Sequence, residues 1–599
     1  MGRLFRWLGL PEKDRFNPAS RFVCIDFLAP ELSTFLQLLR NPTTVFFKFP
    51  CSGSFVRDSG FEAEKSMSNI AGYEFFWAAR QHRERVAVVF GARTQTFREV
   101  NERGNRLANA LIGLGVRKGE RVAVLFNNSP ESLDTVVGLA KGGFVYVALN
   151  ARHTAQEHQA ILNDAGAVAL IAGPEFEATV LEAAHGVKSL RNVIGHEWNG
   201  AARTDYDELL SGASSEEPRV EIGLEEPIRI MYTSGTTGKP KGIVYRGSNA
   251  RARAENFFSA LEYRLGVEDA MVHVGPLTHA AGNYFVPYFV RGARNIVLPR
   301  FDPDLLQETI HRERPTHLLL VPTMLIRLLE HLKPEQYDLS SITRINYGTA
   351  PMPVDVLRRA VAVFGPVFRG HYGLSEAPQP ITVLYPHEHQ PDGNELEAGR
   401  LASCGRAVKG ITLSIQDAEG RELPQGEVGE ITIKADGVAD IRFWNNPELE
   451  KTYLRNGYLL TGDLGRLDEA GYLFIVGRKK DLIITGGFNV YSREVEEALF
   501  QHPSVLEAVV FGVPDPEWGE SVCACVVPNA NGSLTGEAVI EHCKATIAGY
   551  KKPRYVEIMT ELPKNNSGKV DKNAIRDWFM RERLHKSLEE TGGVVASYE

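Results

Sequence analysis

Residues 232–242 read Tyr-Thr-Ser-Gly-Thr-Thr-Gly-Lys-Pro-Lys-Gly. The hydroxyls of Thr233, Ser234, Thr236 and Thr237 are interleaved with Gly235, Gly238 and Gly242, and Lys239 and Lys241 stand near the end. Glycine lets backbone N–H groups approach phosphate oxygens, while hydroxyls and ammonium groups add donors and positive charge. The run therefore reads as a loop that cradles a polyphosphate. It is not a Walker A loop, whose Gly-Lys-[Ser/Thr] ending enters a helix directly. Pro240 follows Lys239 here, and a residue before proline is pushed out of the helical region. The expectation is a loop that closes over a triphosphate, not one that opens a helix beneath it.

The rest of the composition limits what such a loop can serve. A chain of 599 residues is too long for one core and predicts several domains. The formal net charge of −8 argues against nucleic acid or an anionic membrane as a general partner. The six cysteines, Cys24, Cys51, Cys404, Cys523, Cys525 and Cys543, form no C-x-x-C pair and have no histidine cluster beside them. They read as core thiols in a reducing, cytoplasmic compartment. No apolar stretch is long enough to span a bilayer. Residues 1–66 stand apart: Asp26, Glu31, Arg40 and Lys48 interrupt their apolar patches, and no targeting peptide with a cleavage site is evident. They are expected to be a poorly ordered extension, or to follow from an early start codon upstream of Met67.

From Met67 onward, strands and helices alternate. Strands are predicted at Val86–Phe90, 122–126, 144–149, 167–172, 296–298 and 317–321. Helices are predicted through Leu107, Leu111 and Leu114, after Asn127-Asn128-Ser129-Pro130, and after Pro322. This rhythm implies mostly parallel sheets flanked by helices, with ligands at the carboxyl ends of strands. Near residue 410 it gives way to short strands at 411–415, 430–434 and 473–476, separated by turns, which suggests a small β-rich unit. Gly477-Arg478-Lys479-Lys480-Asp481 breaks that pattern, and strands at 508–511 and 522–527 then alternate with helices near 494–500 and 537–548. The expected fold is α/β: an extension (1–66), a large N-terminal domain (67–476) with parallel sheets and a β-rich subdomain, and a small mobile α+β lid (477–599).

Other segments then take on meaning. Tyr347-Gly348-Thr349-Ala350-Pro351 is a small-residue turn able to admit a flat ring against the backbone. His371-Tyr372-Gly373-Leu374-Ser375-Glu376 offers an aromatic face, a hydroxyl and a carboxylate. Thr461-Gly462-Asp463 sets a carboxylate beside glycine, as a ribose diol would need, and 563–569 carries Lys569 on a loop near the chain end. Each alone is an ordinary turn or loop; the five in this order are not. Together they resemble the adenylate-forming superfamily of acyl-CoA synthetases, adenylation domains and beetle luciferases, most closely the fatty acyl and aryl-acid CoA ligases. The resemblance runs from about Tyr73 to Arg576. It implies a two-step reaction: the acid and ATP give an acyl-adenylate and pyrophosphate, and CoA then displaces AMP.

The resemblance also implies roles. Thr233–Gly242 would hold the β- and γ-phosphates, Gly348, Thr349, Ala350 and Pro351 would flank adenine with Tyr372 stacked on it, and His371, Gly373 and Ser375 would complete that wall. Glu376 would hold Mg²⁺, a hard cation suited to carboxylate and phosphate oxygens. Asp463 would take the ribose hydroxyls, with Arg478 beside it. Ser375 stands where the family usually has threonine, which keeps the hydroxyl and loses the methyl. Lys569 would bridge the attacking carboxylate and the α-phosphate, Lys480 would be the hinge of the lid, and Gly486 and Gly487 would line the pantetheine tunnel. Trp518, Tyr550 and Lys552 match positions that contact CoA. The sequence is also compatible with a homodimer.

The acid is addressed by Pro276-Leu277-Thr278-His279-Ala280-Ala281-Gly282-Asn283, which matches the segment carrying the gate of the acyl pocket. His279 fits the gate. No acidic residue follows through Asn283-Tyr284-Phe285 to pair an α-ammonium, and an unpaired ammonium is costly to bury, which argues against an amino acid. Ala281, Gly282 and Gly348 leave room for a large tail. A medium- or long-chain fatty acid is expected, with aryl and steroid side-chain acids left open. A luciferase-like oxygenase shares the first half-reaction, and an acyl-AMP ligase loading a carrier protein is the nearer rival. A noncatalytic nucleotide sensor would need neither Glu376 nor Lys569.

Overall fold

The computed structural model describes residues 71–200, 204–233, 240–278, 281–377, 380–435, 440–529, 534–564 and 569–591, with side chains to residue 582. Expectations about residues 1–66, the loop residues 234–239, His279, Ala280 and residues 565–568 lie outside them. Asn69–Glu599 forms one compact unit.

Two sheets of mostly parallel strands make up its larger part. In the nine-stranded sheet the inner strands Phe368–Tyr372, Arg344–Gly348, His317–Leu320, Ala270–His273, Arg294–Val297 and Val86–Phe90 all run parallel. In the six-stranded sheet, Asn192–Gly195, Ala169–Ala172, Arg121–Leu125, Val145–Ala148 and Pro227–Thr233 run parallel and Lys241–Arg246 closes the edge antiparallel. The inner strands are short apolar runs buried on both faces, as parallel strands covered by helices must be. The helices begin where the sequence signals them. Thr96 and Glu99 form a reciprocal capping box for Phe97–Gly113, and Ser129 caps Pro130–Lys141 with proline in the first turn. These two helices pack so closely that a Cβ on Gly104 would fall 2.3 Å from a Val137 methyl.

The β-rich unit is a third sheet of Thr412–Gln416, Gly429–Lys434, Leu454–Arg455, Tyr458–Leu467 and Leu473–Arg478. Two local expectations change here. Thr461-Gly462-Asp463 is not a turn but the middle of a ten-residue strand, where Gly462 has φ 70° and the register shifts nearby. The last strand does not stop at Val476, because Arg478 is still paired with Asp463. Only Lys479–Asp481 forms the tight turn that follows. Beyond it a fourth sheet, Ile483–Thr485, Phe488–Val490, Val505–Asp515, Gly519–Pro528 and Tyr555–Ile558, packs against Ser492–Phe500 and Gly536–Thr546. Cys523, Cys525 and Cys543 are buried in its cores. Among the described residues no helix is long and apolar enough to cross a membrane.

Sequence periodicity did not anticipate a π-helical turn at Phe257–Leu261. Its extra residue delivers Glu262 into the core, where it is fully buried. There Glu262 takes hydrogen bonds at 2.7 Å from Arg344 Nη1 and from Asn346 Nδ2, with Arg369 at 3.5 Å. Arg344, Asn346 and Arg369 lie on the two strands that end at Gly348 and Tyr372, so one buried anion ties those strands together. Removing one partner of a buried charge cluster strands the others. Glu262→Leu should therefore cost about 3–5 kcal/mol, read as a lower urea midpoint; an unchanged midpoint would sink this account.

Candidate active site

The carboxyl ends of the strands bring the predicted residues together. Thr233 ends one strand and pairs directly with Lys241, the first residue of the next, so residues 234–239 join two antiparallel strands. No helix follows, as Pro240 implied. The charge of Lys241 reaches Glu376 on the far side of this junction. Ile243, Tyr245, Asn249, Ser375, Glu376 and Asp440 line a shallow, narrow cleft there.

Arg344–Gly348 ends in the small-residue turn. Thr349 takes φ 66°, a left-handed conformation that a β-branched residue rarely adopts, and its buried Oγ1 has no hydrogen-bond partner. A Cβ on Gly348 would lie 2.4 Å from the carbonyl oxygen of His371, so only glycine fits. Strain plus an unmatched hydroxyl suits a turn completed by a ligand. Ala350 is half-buried and Pro351 exposed. On the neighbouring strand His371 is buried, and its Nδ1 lies 2.7 Å from the Tyr347 carbonyl. A carbonyl only accepts, so Nδ1 carries the proton and Nε2 accepts from the Tyr284 hydroxyl at 3.3 Å.

Four charged or polar side chains then converge. The Tyr372 hydroxyl donates to Asp463 Oδ2 at 2.7 Å, and Arg478 Nε stands 3.4 Å from Asp463 Oδ1. Burial raises the Asp463 carboxyl, while Arg478, the Tyr372 hydroxyl and Lys569 hold it down. Burial also raises Glu376; its backbone N–H, Arg478 and Lys241 oppose this, and Asp463 adds to it as a like charge. Lys569 is half-buried, and burial followed by the nearby Arg478 brings its ammonium down to about 8, with Asp463 pulling the other way. Gly373 and Ser375 are half-buried between Tyr372 and Glu376, and the Ser375 carbonyl accepts from the Tyr245 hydroxyl.

The remaining residues fall into two other places. Lys480 is exposed in the turn Lys479–Asp481. Gly486 and Gly487, at φ 56° and 82°, make a two-residue hairpin turn between Thr485 and Phe488, a geometry that demands positive φ at both positions. A Cβ on Gly486 would meet the Trp518 ring at 2.7 Å, and Tyr550 packs on Phe488 with ring centroids 5.0 Å apart. Phe488, Trp518 and Tyr550 are exposed and Lys552 is half-buried. Gly486 thus lies against Trp518, and Phe488 against Tyr550. Ala281 is buried, and a Cβ on Gly282 would collide with the Leu277 carbonyl oxygen at 1.8 Å. Asn283 accepts a hydrogen bond from Arg253. Sequence reasoning missed Arg253, Arg229 and Tyr245. The signal was weak: two arginines, one on a strand and one on a helix, whose proximity no local spacing encodes.

A family model described as AMP-binding enzyme matches residues 75–440, and one described as AMP-binding enzyme C-terminal domain matches residues 494–569. The chain is 33% identical to the medium/long-chain-fatty-acid–CoA ligase FadD8 of Mycobacterium tuberculosis over 85% of this chain and 90% of that protein. It is 34% identical to a feruloyl-CoA synthase of Amycolatopsis sp, over 84% of this chain and 97% of that one. The solved anthranilate CoA ligase AuaEII in complex with anthranoyl-AMP superposes with a TM-score of 0.78 at 26% identity, covering 85% of this chain and 98% of that one.

The state of Lys569 is directly measurable. Its labelling by acetic anhydride against pH, read by peptide mass spectrometry, should show a midpoint near 8. Asp463 favours the charged form, so Asp463→Asn should move that midpoint lower still. A wild-type midpoint in the ordinary lysine range would contradict the burial of this ammonium.

Proposed function

The chain belongs to the AMP-binding enzyme family, and from that premise we propose the substrate and the residue roles below. It is an ATP-dependent, AMP-forming carboxylic acid–CoA ligase, which uses ATP, CoA and Mg²⁺. In the first step a carboxylate oxygen bonds to the α-phosphorus and the bond to pyrophosphate breaks. In the second the CoA sulfur bonds to the acyl carbon, AMP leaves, and the thiol proton passes to solvent.

The single observation carrying the role assignments is the convergence of Lys569, Asp463, Arg478 and Tyr372 beside Glu376. Asp463 accepts the ribose hydroxyls, and Arg478 favours its charged form against burial. Lys569 lies between the attacking carboxylate and the α-phosphate and offsets the repulsion of two anions. Its lowered pKa makes the sign of the pH response plain: the ammonium is intact below about 8 and is lost above it. Adenylation in the free enzyme should fall as pH rises through that value. Glu376 would hold Mg²⁺, which when bound neutralises charge on the departing pyrophosphate. Thr233, Lys241 and the loop between them take the β- and γ-phosphates.

The exposed turn at Lys480 follows the last strand of the β-rich unit, and we place the boundary of the lid there, at about residue 477. Rotation about it would withdraw Lys569 and bring forward Gly486, Gly487, Trp518, Tyr550 and Lys552 for CoA. For the acid we take a medium- or long-chain fatty acid, supported by the fatty-acid ligase relative; Gly282 and Gly348 add no room for it, because the Leu277 and His371 carbonyl oxygens fill the space where their side chains would stand. The feruloyl relative supports an aryl acid as the second reading.

Three measurements test this. Lys569→Ala should lower pyrophosphate exchange roughly 10²-fold or more, yet leave thioester formation from a supplied acyl-adenylate near wild type; intact exchange would remove Lys569 from the first step. Lys480→Pro should spare adenylation and block thioester formation, and equal loss of both steps would count against a hinge. A screen of acids should consume CoA as it releases pyrophosphate. Product that accumulates equally without CoA would point instead to an acyl-AMP ligase.

A further inference from the structure

Two arginines that neither half-reaction uses lie beside the acid-binding segment. Arg253, on the helix Gly247–Asn256, donates from Nη1 to Asn283 Oδ1 at 3.0 Å, in the first turn of the helix Gly282–Val290. Arg229, on the strand that leads into the phosphate loop, donates from Nη2 to the Thr278 carbonyl at 3.0 Å. Its Nε is buried with no hydrogen-bond partner. Neither guanidinium pairs with a carboxylate among the described residues. Elsewhere the buried charges are matched, Glu262 by Arg344 and Arg369, and Asp134 by Arg103.

Both cations act electrostatically on the Tyr245 hydroxyl, and the Arg229 guanidinium stands over the ring of Tyr146, 5.3 Å from its centroid. Burial pushes that hydroxyl up to about 12, Arg229 and Arg253 pull against it, and Glu376 adds to it. One tyrosine thus feels two guanidiniums and a single carboxylate, which is the proposed metal ligand. Tyr245 and Asn249 line the cleft that holds Glu376. Asn249 and Arg253 are four residues apart on one helix, so Arg253 continues the same face one turn further along. Burial disfavours the charged form of Arg253, and the positive charge of Arg229 adds to this. Holding two such cations together out of water without an anion is costly, and the cost falls when a ligand supplies one.

We infer that Arg253, held by Asn283 and backed by Arg229, binds a second carboxylate on the acid substrate, at the end remote from the carboxylate that is activated. This rests on the ligase reading and narrows it: of the acids left open, those with an oxyanion on the tail fit this chain better than a plain hydrocarbon tail. A guanidinium and a carboxylate form a bidentate, charge-assisted pair, which gives both orientation and selectivity.

The test compares straight-chain dicarboxylic acids of graded length with monocarboxylic acids of the same length, by kcat/KM for thioester formation with CoA. In the wild-type enzyme the dicarboxylic acid should be the better substrate at one or more lengths. Arg253→Leu should lower the dicarboxylic-to-monocarboxylic ratio about 10- to 100-fold, and Arg253→Lys should lower it less. A ratio taken within one preparation is unaffected by a partly folded variant. If the wild type prefers the monocarboxylic acid at every length, or if Arg253→Leu slows both acids alike, the inference fails and the ligase reading stands. If neither kind of acid yields a thioester at any length, the ligase reading fails, and this inference with it.

Discussion

The centre of this molecule is organised around a charge problem. Asp463 and Glu376 are two carboxylates in a cleft that burial makes hostile to both, and Glu376 feels Asp463 as a like charge. Arg478, Lys241 and Lys569 come from the end of one strand, the start of another and a loop near the chain terminus, and together they oppose the upward push that burial gives these acids. Arg478 and Lys569 in turn repel each other, which is part of why the Lys569 ammonium is weakened. A site balanced in this way gains from receiving a polyanion and a cation together, because neither sign is fully matched beforehand.

The scaffold supplies the rigidity that such a balance requires. The strands ending at Gly348 and Tyr372 are held from below by Glu262, which binds Arg344, Asn346 and Arg369 at once. The same two strands are joined near their ends by His371, whose Nδ1 donates to the Tyr347 carbonyl. The turn carrying Thr349 is strained, and strain persists only where the surroundings over-determine it. Here a buried ion cluster on one side and a collision-limited glycine on the other do so. Beyond the short exposed turn Lys479–Asp481, Arg493 reaches back to the Ile475 and Ala402 carbonyls and Leu506 packs against the core of the larger sheet.

Much of this was legible in the residues. Pro130, Pro322 and the Thr96/Glu99 pair mark helix starts through local stereochemistry, and they lie where the structure has them. The apolar runs at Val86–Phe90 and His317–Leu320 are strands because a parallel sheet buries both faces. That no helix opens directly after Pro240 was legible, because a residue before proline is pushed out of the helical region, and an antiparallel strand does follow. Two local readings failed for physical reasons. Gly462 looks like a turn residue, yet cross-strand pairing with Gly429–Lys434 and Leu473–Arg478 holds it inside a strand and uses its positive φ for a local twist. The charged run at 477–481 looks like a single break, yet Arg478 stays in register because it faces Asp463.

The sequence by itself determined the order of elements, the parallel α/β class, and the kinds of side chain needed to activate an acid with ATP, because propensity, capping and loop chemistry act over a few residues. Only the tertiary structure decided which charges share a dielectric. That Lys569 and Asp463, more than a hundred positions apart, lie within electrostatic reach of one another, that Glu262 closes on two arginines, and that Arg229 and Arg253 both act on the Tyr245 hydroxyl all follow from sheet order and helix packing. Electrostatic energy depends on distance and burial and not on separation along the chain.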